Sequence, residues 1–111
     1  MEIEIRKEKN AVVVSVKGRL DGVTSPEFEI KILELIEKGE NDIIIDFEKL
    51  DYISSAGLRI ILVSSKILIE KEGKFRVCSL KDTVEKVFNI SGFSTIIQIY
   101  ESVESALSDN P

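Results

Sequence analysis

The sequence predicts an α/β fold, a mixed and mainly parallel sheet of four to five strands with about four helices, in which the first strand runs antiparallel. Three observations carry this. Strand-like and helix-like patterns alternate along most of the chain, as they do where crossover helices join parallel strands. The run Ile43-Ile44-Ile45 must point to both sides of a strand, so both faces of the sheet are covered. The first two apolar runs are separated only by the polar residues 6–10, the spacing of a hairpin.

Taken in order, Ile3 and Ile5 alternate with Glu2 and Glu4, and residues 11–16 form a second apolar run, so two strands meet at a turn over Lys9-Asn10. A loop over residues 18–22 follows. Thr24-Ser25-Pro26-Glu27 opens a helix: Thr24 is placed to cap, Glu27 three residues on would complete a capping box, and Pro26 suits the first turn. Phe28, Ile32, Leu35 and Ile36 share one stripe, and Lys38 and Gly39 supply the cationic last turn and left-handed stop. Residues 42–47 read as a central strand, and residues 48–53 lead out of it into a second helix from about Ser55 to Glu72, closed by Gly73. A strand from Phe75 to Cys78 comes next, then a helix from Asp82 to Asn89 with Val84, Val87 and Phe88 inward. Gly92 ends a helix. The segment from Ile96 to Tyr100 is a last strand at an edge, and Glu101 to Leu107 a short closing helix. With no repeat, low-complexity tract or linker, residues 1–108 are expected to form one domain and 109–111 a frayed tail.

Composition narrows the function. The chain has 111 residues, 43% of them apolar and 32% charged, with a net charge of -5 and no basic run. That disfavours a nucleic-acid backbone, which needs clustered cations, and an anionic membrane surface for the same reason. By net charge alone, a partner with a basic rim suits it. There is one cysteine and no histidine. A lone Cys78 forms no internal disulfide, points to a reducing compartment, and within a strand reads as a buried, inert thiol. The absence of histidine removes the commonest general base and metal ligand. The N-terminus has neither the basic start nor the long apolar run of a signal peptide, and no stretch approaches the roughly 18 apolar residues that span a bilayer. A cytoplasmic location without membrane insertion is therefore expected.

The most informative segment runs from Leu50 through Tyr52, Ile53, Ser54, Ser55, Ala56, Gly57 and Leu58 to Arg59. Two serines precede a long helix. A plain reading is available, in which one of them caps the helix by accepting a bond from an orphan amide. Three features favour more. A helix N-terminus offers free amides and partial positive charge, so a phosphoserine there would be tolerated. Ala56 and Gly57 are small and would leave the backbone beside Ser55 open to close approach. The helix also carries two apolar stripes, Leu58, Ile61, Leu62, Ser65 and Leu68 on one and Ala56, Ile60, Val63 and Ile67 on the other. An ordinary surface helix buries one, so the second is either covered by neighbouring helices or open to a partner. Asp21, Asp46 and Asp51 would have to gather to hold Mg2+, and turn-forming aspartates are the plainer reading. Ser55 as an enzymatic nucleophile has no histidine to activate it.

These residues resemble the bacterial anti-sigma-factor antagonists, single-domain members of the STAS (sulfate transporter and anti-sigma-factor antagonist) group. The resemblance rests on Ile53-Ser54-Ser55-Ala56-Gly57-Leu58, on Gly18-Arg19-Leu20-Asp21 with Thr24, and on Leu50 and Tyr52, and it spans essentially the whole chain. It implies a STAS-like fold and a protein that is no enzyme and needs no cofactor or metal. It makes Ser55 the phosphoacceptor, and it assigns partner contacts to Asp21, Thr24, Ser54, Ser55, Ala56, Gly57, Arg59 and Ile60. The implied partners are an anti-sigma factor that is also a serine kinase, bound when Ser55 is unmodified, and a serine phosphatase that resets the switch. Many members carry aspartate where this chain has Ser54, which leaves Ser54 as a second candidate acceptor. The alternative function is a STAS-type structural or regulatory subunit of a transporter or sensory complex, without a phospho-switch.

Overall fold

The computed structural model describes residues 1–109. Strands β1 (Glu2–Glu8) and β2 (Ala11–Leu20) form the expected antiparallel hairpin, from Glu2 opposite Lys17 to Glu8 opposite Ala11. Its turn places Lys9 at a φ of 58°. Helix α1 (Ser25–Glu37), strand β3 (Asp42–Asp46), strand β4 (Leu50–Ile53) and helix α2 (Ser55–Glu70) follow. The chain continues through β5 (Lys74–Cys78), α3 (Asp82–Ser91), a 3-10 turn (Phe93–Thr95), β6 (Gln98–Tyr100) and α4 (Val103–Ser108). The sheet order is β1-β2-β3-β5-β6, and every pairing after the hairpin is parallel.

The described residues hold six strands, one more than the sequence pattern suggests. The addition is β4, which pairs with the end of β2 beyond the point where β3 leaves it. Its residues had read as a connection because Glu48, Lys49 and Asp51 interrupt the apolar pattern. Leu50 and Ile53 are nevertheless buried, with Asp51 exposed between them. The register shifts between Gly18 and Arg19. Gly18 sits there at a φ of 103°, a left-handed backbone that costs glycine little, and its amide donates to the Lys49 carbonyl.

Strand alternation sorts the core into two layers. Val12, Val14, Ile43, Ile45 and Val77 face a cluster that includes Phe28 and Ile32 of α1, Ile61 and Leu68 of α2, and Phe88 of α3. Val13, Ile44 and Cys78 face Val103 and Ala106 of α4. Ile43, Ile44 and Ile45 are all fully buried, as a strand covered on both faces requires. On the α4 side Arg76 is buried at 2% exposure. It donates from Nη2 to the Asp42 carboxylate and from Nη1 to the Ala106 carbonyl, which ties α4 to the sheet.

The ends of the helices follow local chemistry, with two corrections, at Thr24 and after α2, which stops at Glu70 with Glu72 (φ 62°), not Gly73, as the left-handed residue beyond it. Gly39 (φ 93°) and Gly92 (φ 80°) both adopt left-handed backbone where α1 and α3 stop. Thr24, however, makes no side-chain cap on α1, and no capping box with Glu27 forms. Its hydroxyl is drawn back into the preceding loop, where the geometry offers better-placed partners. Asn110 and Pro111 of the expected tail lie outside the described residues. Asp109 accepts a hydrogen bond from the Tyr100 hydroxyl.

Candidate functional site

The parallel pairing of β2 with β4 brings the site together. Leu20 lies opposite Ile53, and the Ser54 amide donates to the Leu20 carbonyl at 2.9 Å. The loop after β2 and the first turn of α2 therefore emerge side by side, from the carboxyl ends of neighbouring parallel strands.

The loop is organised around Asp21. Its Oδ1 accepts from the Val23 amide at 3.0 Å and the Thr24 amide at 3.1 Å, while the Thr24 hydroxyl accepts from the Asp21 amide at 2.9 Å and donates to the Arg19 carbonyl at 2.8 Å. The bond from the Thr24 amide, chiefly, holds the Asp21 carboxyl below its ordinary value, so it is ionised at neutral pH. Arg19 completes the cluster. Its guanidinium lies 4.2 Å from the centre of the Tyr52 ring, and its Nε is 3.7 Å from Asp21 Oδ2. Sequence reasoning missed this pair, because only the β2–β4 register places Arg19 opposite Tyr52.

The two serines take different environments. Ser54, half-buried, is the N-cap of α2, and its Oγ accepts from the Gly57 amide at 3.4 Å. Ser55 is the first helical residue and is exposed. Among the described residues its hydroxyl makes no hydrogen bond, so its Oγ stands at the positively polarised end of α2, open to solvent.

Small residues here serve the interior. A Cβ on Gly57 would lie 2.8 Å from Ile53 Cγ1, 3.0 Å from Leu20 Cγ and 3.1 Å from the Leu20 carbonyl oxygen. Gly57 thus lets α2 press against the ends of β2 and β4, and it faces inward rather than toward a visitor. Ile60 is buried as well, at 4% exposure. Both residues, expected to touch a partner, thus expose little surface in this fold. The second apolar stripe of α2 is divided, with Ile60 covered, Ala56 and Ile67 half-buried, and Val63 exposed. Of the remaining candidates, Arg59 is exposed and Asp21, Thr24, Ser54 and Ala56 are half-buried around Ser55.

Asp21 and Asp46 act in turns, whereas Asp51, also expected to form a turn, lies exposed within strand β4. Asp46 Oδ1 accepts from the Glu48 amide, as Asp21 does from Val23 and Thr24, and no three potential ligand side chains among the described residues lie close enough to share a metal ion. No helix among them is long and apolar enough to cross a membrane.

This arrangement has counterparts of known kind. Residues 2–106 match the STAS domain family. The chain belongs to the STAS domain family. Among its STAS relatives, BtrV of Bordetella bronchiseptica is 34% identical over 106 residues, covering 96% of this chain and 91% of BtrV. The anti-sigma F factor antagonist of Paenibacillus polymyxa is 27% identical over 110 residues, covering 98% of this chain and 94% of its own. The solved structure of the Bacillus cell fate determinant SpoIIAA in its phosphorylated form has a TM-score of 0.75 at 25% identity, covering 96% of this chain and 97% of that one. The mainly parallel α/β sheet read from the residues, and the STAS-like fold that the resemblance implied, are the ones observed.

Proposed function

We propose that this STAS domain is a phosphorylation-controlled anti-sigma-factor antagonist, a regulatory binding protein and not an enzyme. In its unmodified form it binds an anti-sigma factor that is also a serine kinase. The kinase transfers the γ-phosphoryl group of ATP to Ser55 Oγ, the hydroxyl proton leaves, ADP remains, and the complex dissociates. A serine phosphatase hydrolyses the ester and restores the hydroxyl. These proteins would meet in the cytoplasm. The observation that carries this reading is the division of labour at the start of α2: Ser54 holds the cap while Ser55 stands exposed beside it. A phosphate of about -1.5 to -2 charge on Ser55 sits where the helix dipole tolerates it. The names of the relatives support the class of partner.

Incubation with ATP and the cognate kinase, followed by mass spectrometry, tests the assignment. Wild type gains one phosphoryl group and Ser55→Ala gains none, whereas full modification of Ser55→Ala would move the acceptor elsewhere. Ser55→Asp is expected to weaken partner binding at least about tenfold, roughly 1.4 kcal/mol. Unchanged affinity in a calorimetric titration would sink the charge-based release.

A further inference from the structure

Beyond Ser55, the outward side chains of α2 share one character. The exposed positions continue through Arg59, Val63, Lys66 and Ile69, with half-buried Leu62 between them. They recur at steps of three and four residues and so share the solvent face of the helix. The chain as a whole has 20 Asp and Glu against 15 Lys and Arg. Between Ser55 and Ile69, however, this helix carries two cations and no carboxylate, and Glu70 in its last position is its sole acid. Neither Arg59 nor Lys66 joins a salt bridge among the described residues. Val63 and Ile69 add exposed apolar area, at 38% and 58% exposure. The strip begins at the positively polarised end of the helix. Such a face on an acidic protein complements an acidic surface with apolar patches, the opposite of the basic-rimmed partner that net charge alone suggests.

We propose that this strip docks an acidic, partly apolar surface of the partner protein, and that phosphate on Ser55 shuts it by cancelling Arg59. The inference rests on Ser55 as the acceptor. Arg59 lies at the i, i+4 spacing from Ser55, where helical side chains meet. A phosphoserine dianion pairs with that guanidinium, withdraws it from the partner, and adds charge that repels an acidic surface. One modification thereby removes an attraction and installs a repulsion.

The test uses the purified anti-sigma factor kinase encoded in the same genome, with affinity and association rate measured at low and high salt. Arg59→Glu with Lys66→Glu is expected to lower affinity at least about tenfold and to abolish the slowing of association by salt. Lys86→Glu, an exposed charge reversal on α3, is expected to leave binding unchanged. If the double reversal disturbs folding, judged by circular dichroism, Arg59→Gln with Lys66→Gln replaces it. In an Arg59→Gln background, Ser55→Asp is expected to cost less affinity than in wild type. Wild-type affinity in the doubly substituted protein, with Ser55→Asp still releasing the partner, overturns the docking strip and leaves the phospho-switch standing. Equal weakening by Lys86→Glu overturns it too, since only overall charge would then matter. If Ser55→Asp also binds normally, the phospho-switch itself falls.

Discussion

Adjacent side chains at the start of α2 take different parts: Ser54 caps the helix and Ser55 stands exposed. Ser54 supplies the cap, so Ser54→Ala is expected to cost about 0.5–1 kcal/mol in urea unfolding, the low end for lost caps because the bond is long at 3.4 Å. Ser55→Ala should stay within about 0.5 kcal/mol of wild type. Equal losses at both positions would mean that the cap is shared. Gly57 is a sharper case. Alanine normally gains about 1 kcal/mol over glycine in a helix. Here its methyl group would meet Ile53 and the Leu20 backbone, and the net outcome expected for Gly57→Ala is a loss of roughly 1–3 kcal/mol. Stabilisation in the same urea experiment would show that the contact relaxes freely. Cys78, enclosed beneath α4, has its thiol pushed up to about 11 from 9.0, chiefly by burial. The folded thiol keeps its proton where the unfolded one ionises. Its contribution to stability is therefore intact below pH 9.0 and is lost as pH rises from there toward about 11. At pH 8 the native protein should resist a thiol-labelling reagent that reacts promptly with the urea-unfolded chain, and fast labelling without denaturant would contradict this burial.

At the scale of elements, α4 depends on the buried Arg76, whose guanidinium bridges Asp42 at the start of β3 and the Ala106 carbonyl. Removing one member of a buried pair strands the other charge. Asp42→Ala is expected to cost about 3–5 kcal/mol, and Asp42→Ala combined with Arg76→Met to recover a large part of it. Chemical denaturation of the three proteins decides between this and a simple packing role, for which the double variant would be the less stable. Helix α2 depends instead on apolar burial. Ile61 and Leu68 are fully enclosed while Arg59 and Lys66 remain in solvent, so its inner face can hold the fold while its outer face changes charge.

Across the whole molecule, the proposed acceptor Ser55 and the scaffold are separable. Three helices cover one face of the sheet, α4 covers part of the other, and Ser55 lies outside both layers. The alternation of strands and helices, the hairpin at Lys9-Asn10, the doubly covered isoleucine strand and the left-handed stops at Gly39 and Gly92 were legible in the sequence. Each follows from local periodicity or from one residue's backbone freedom, and neither needs a distant partner. The serine segment and the Asp21 loop were legible as short patterns. What they do in space was not. Strand β4 exists because the end of β2 offers it hydrogen bonds, although its own residues read as a connection. The hydroxyl of Thr24 turns to Asp21 and Arg19 rather than to its helix, since that loop presents closer partners. Gly57 and Ile60 face inward because α2 rests on Leu20 and Ile53. The sequence by itself determined the kinds of element and their order, which depend on neighbours along the chain. Only the tertiary structure decided which of two adjacent serines caps and which is exposed, because that depends on where a parallel strand pairing sets the start of one helix.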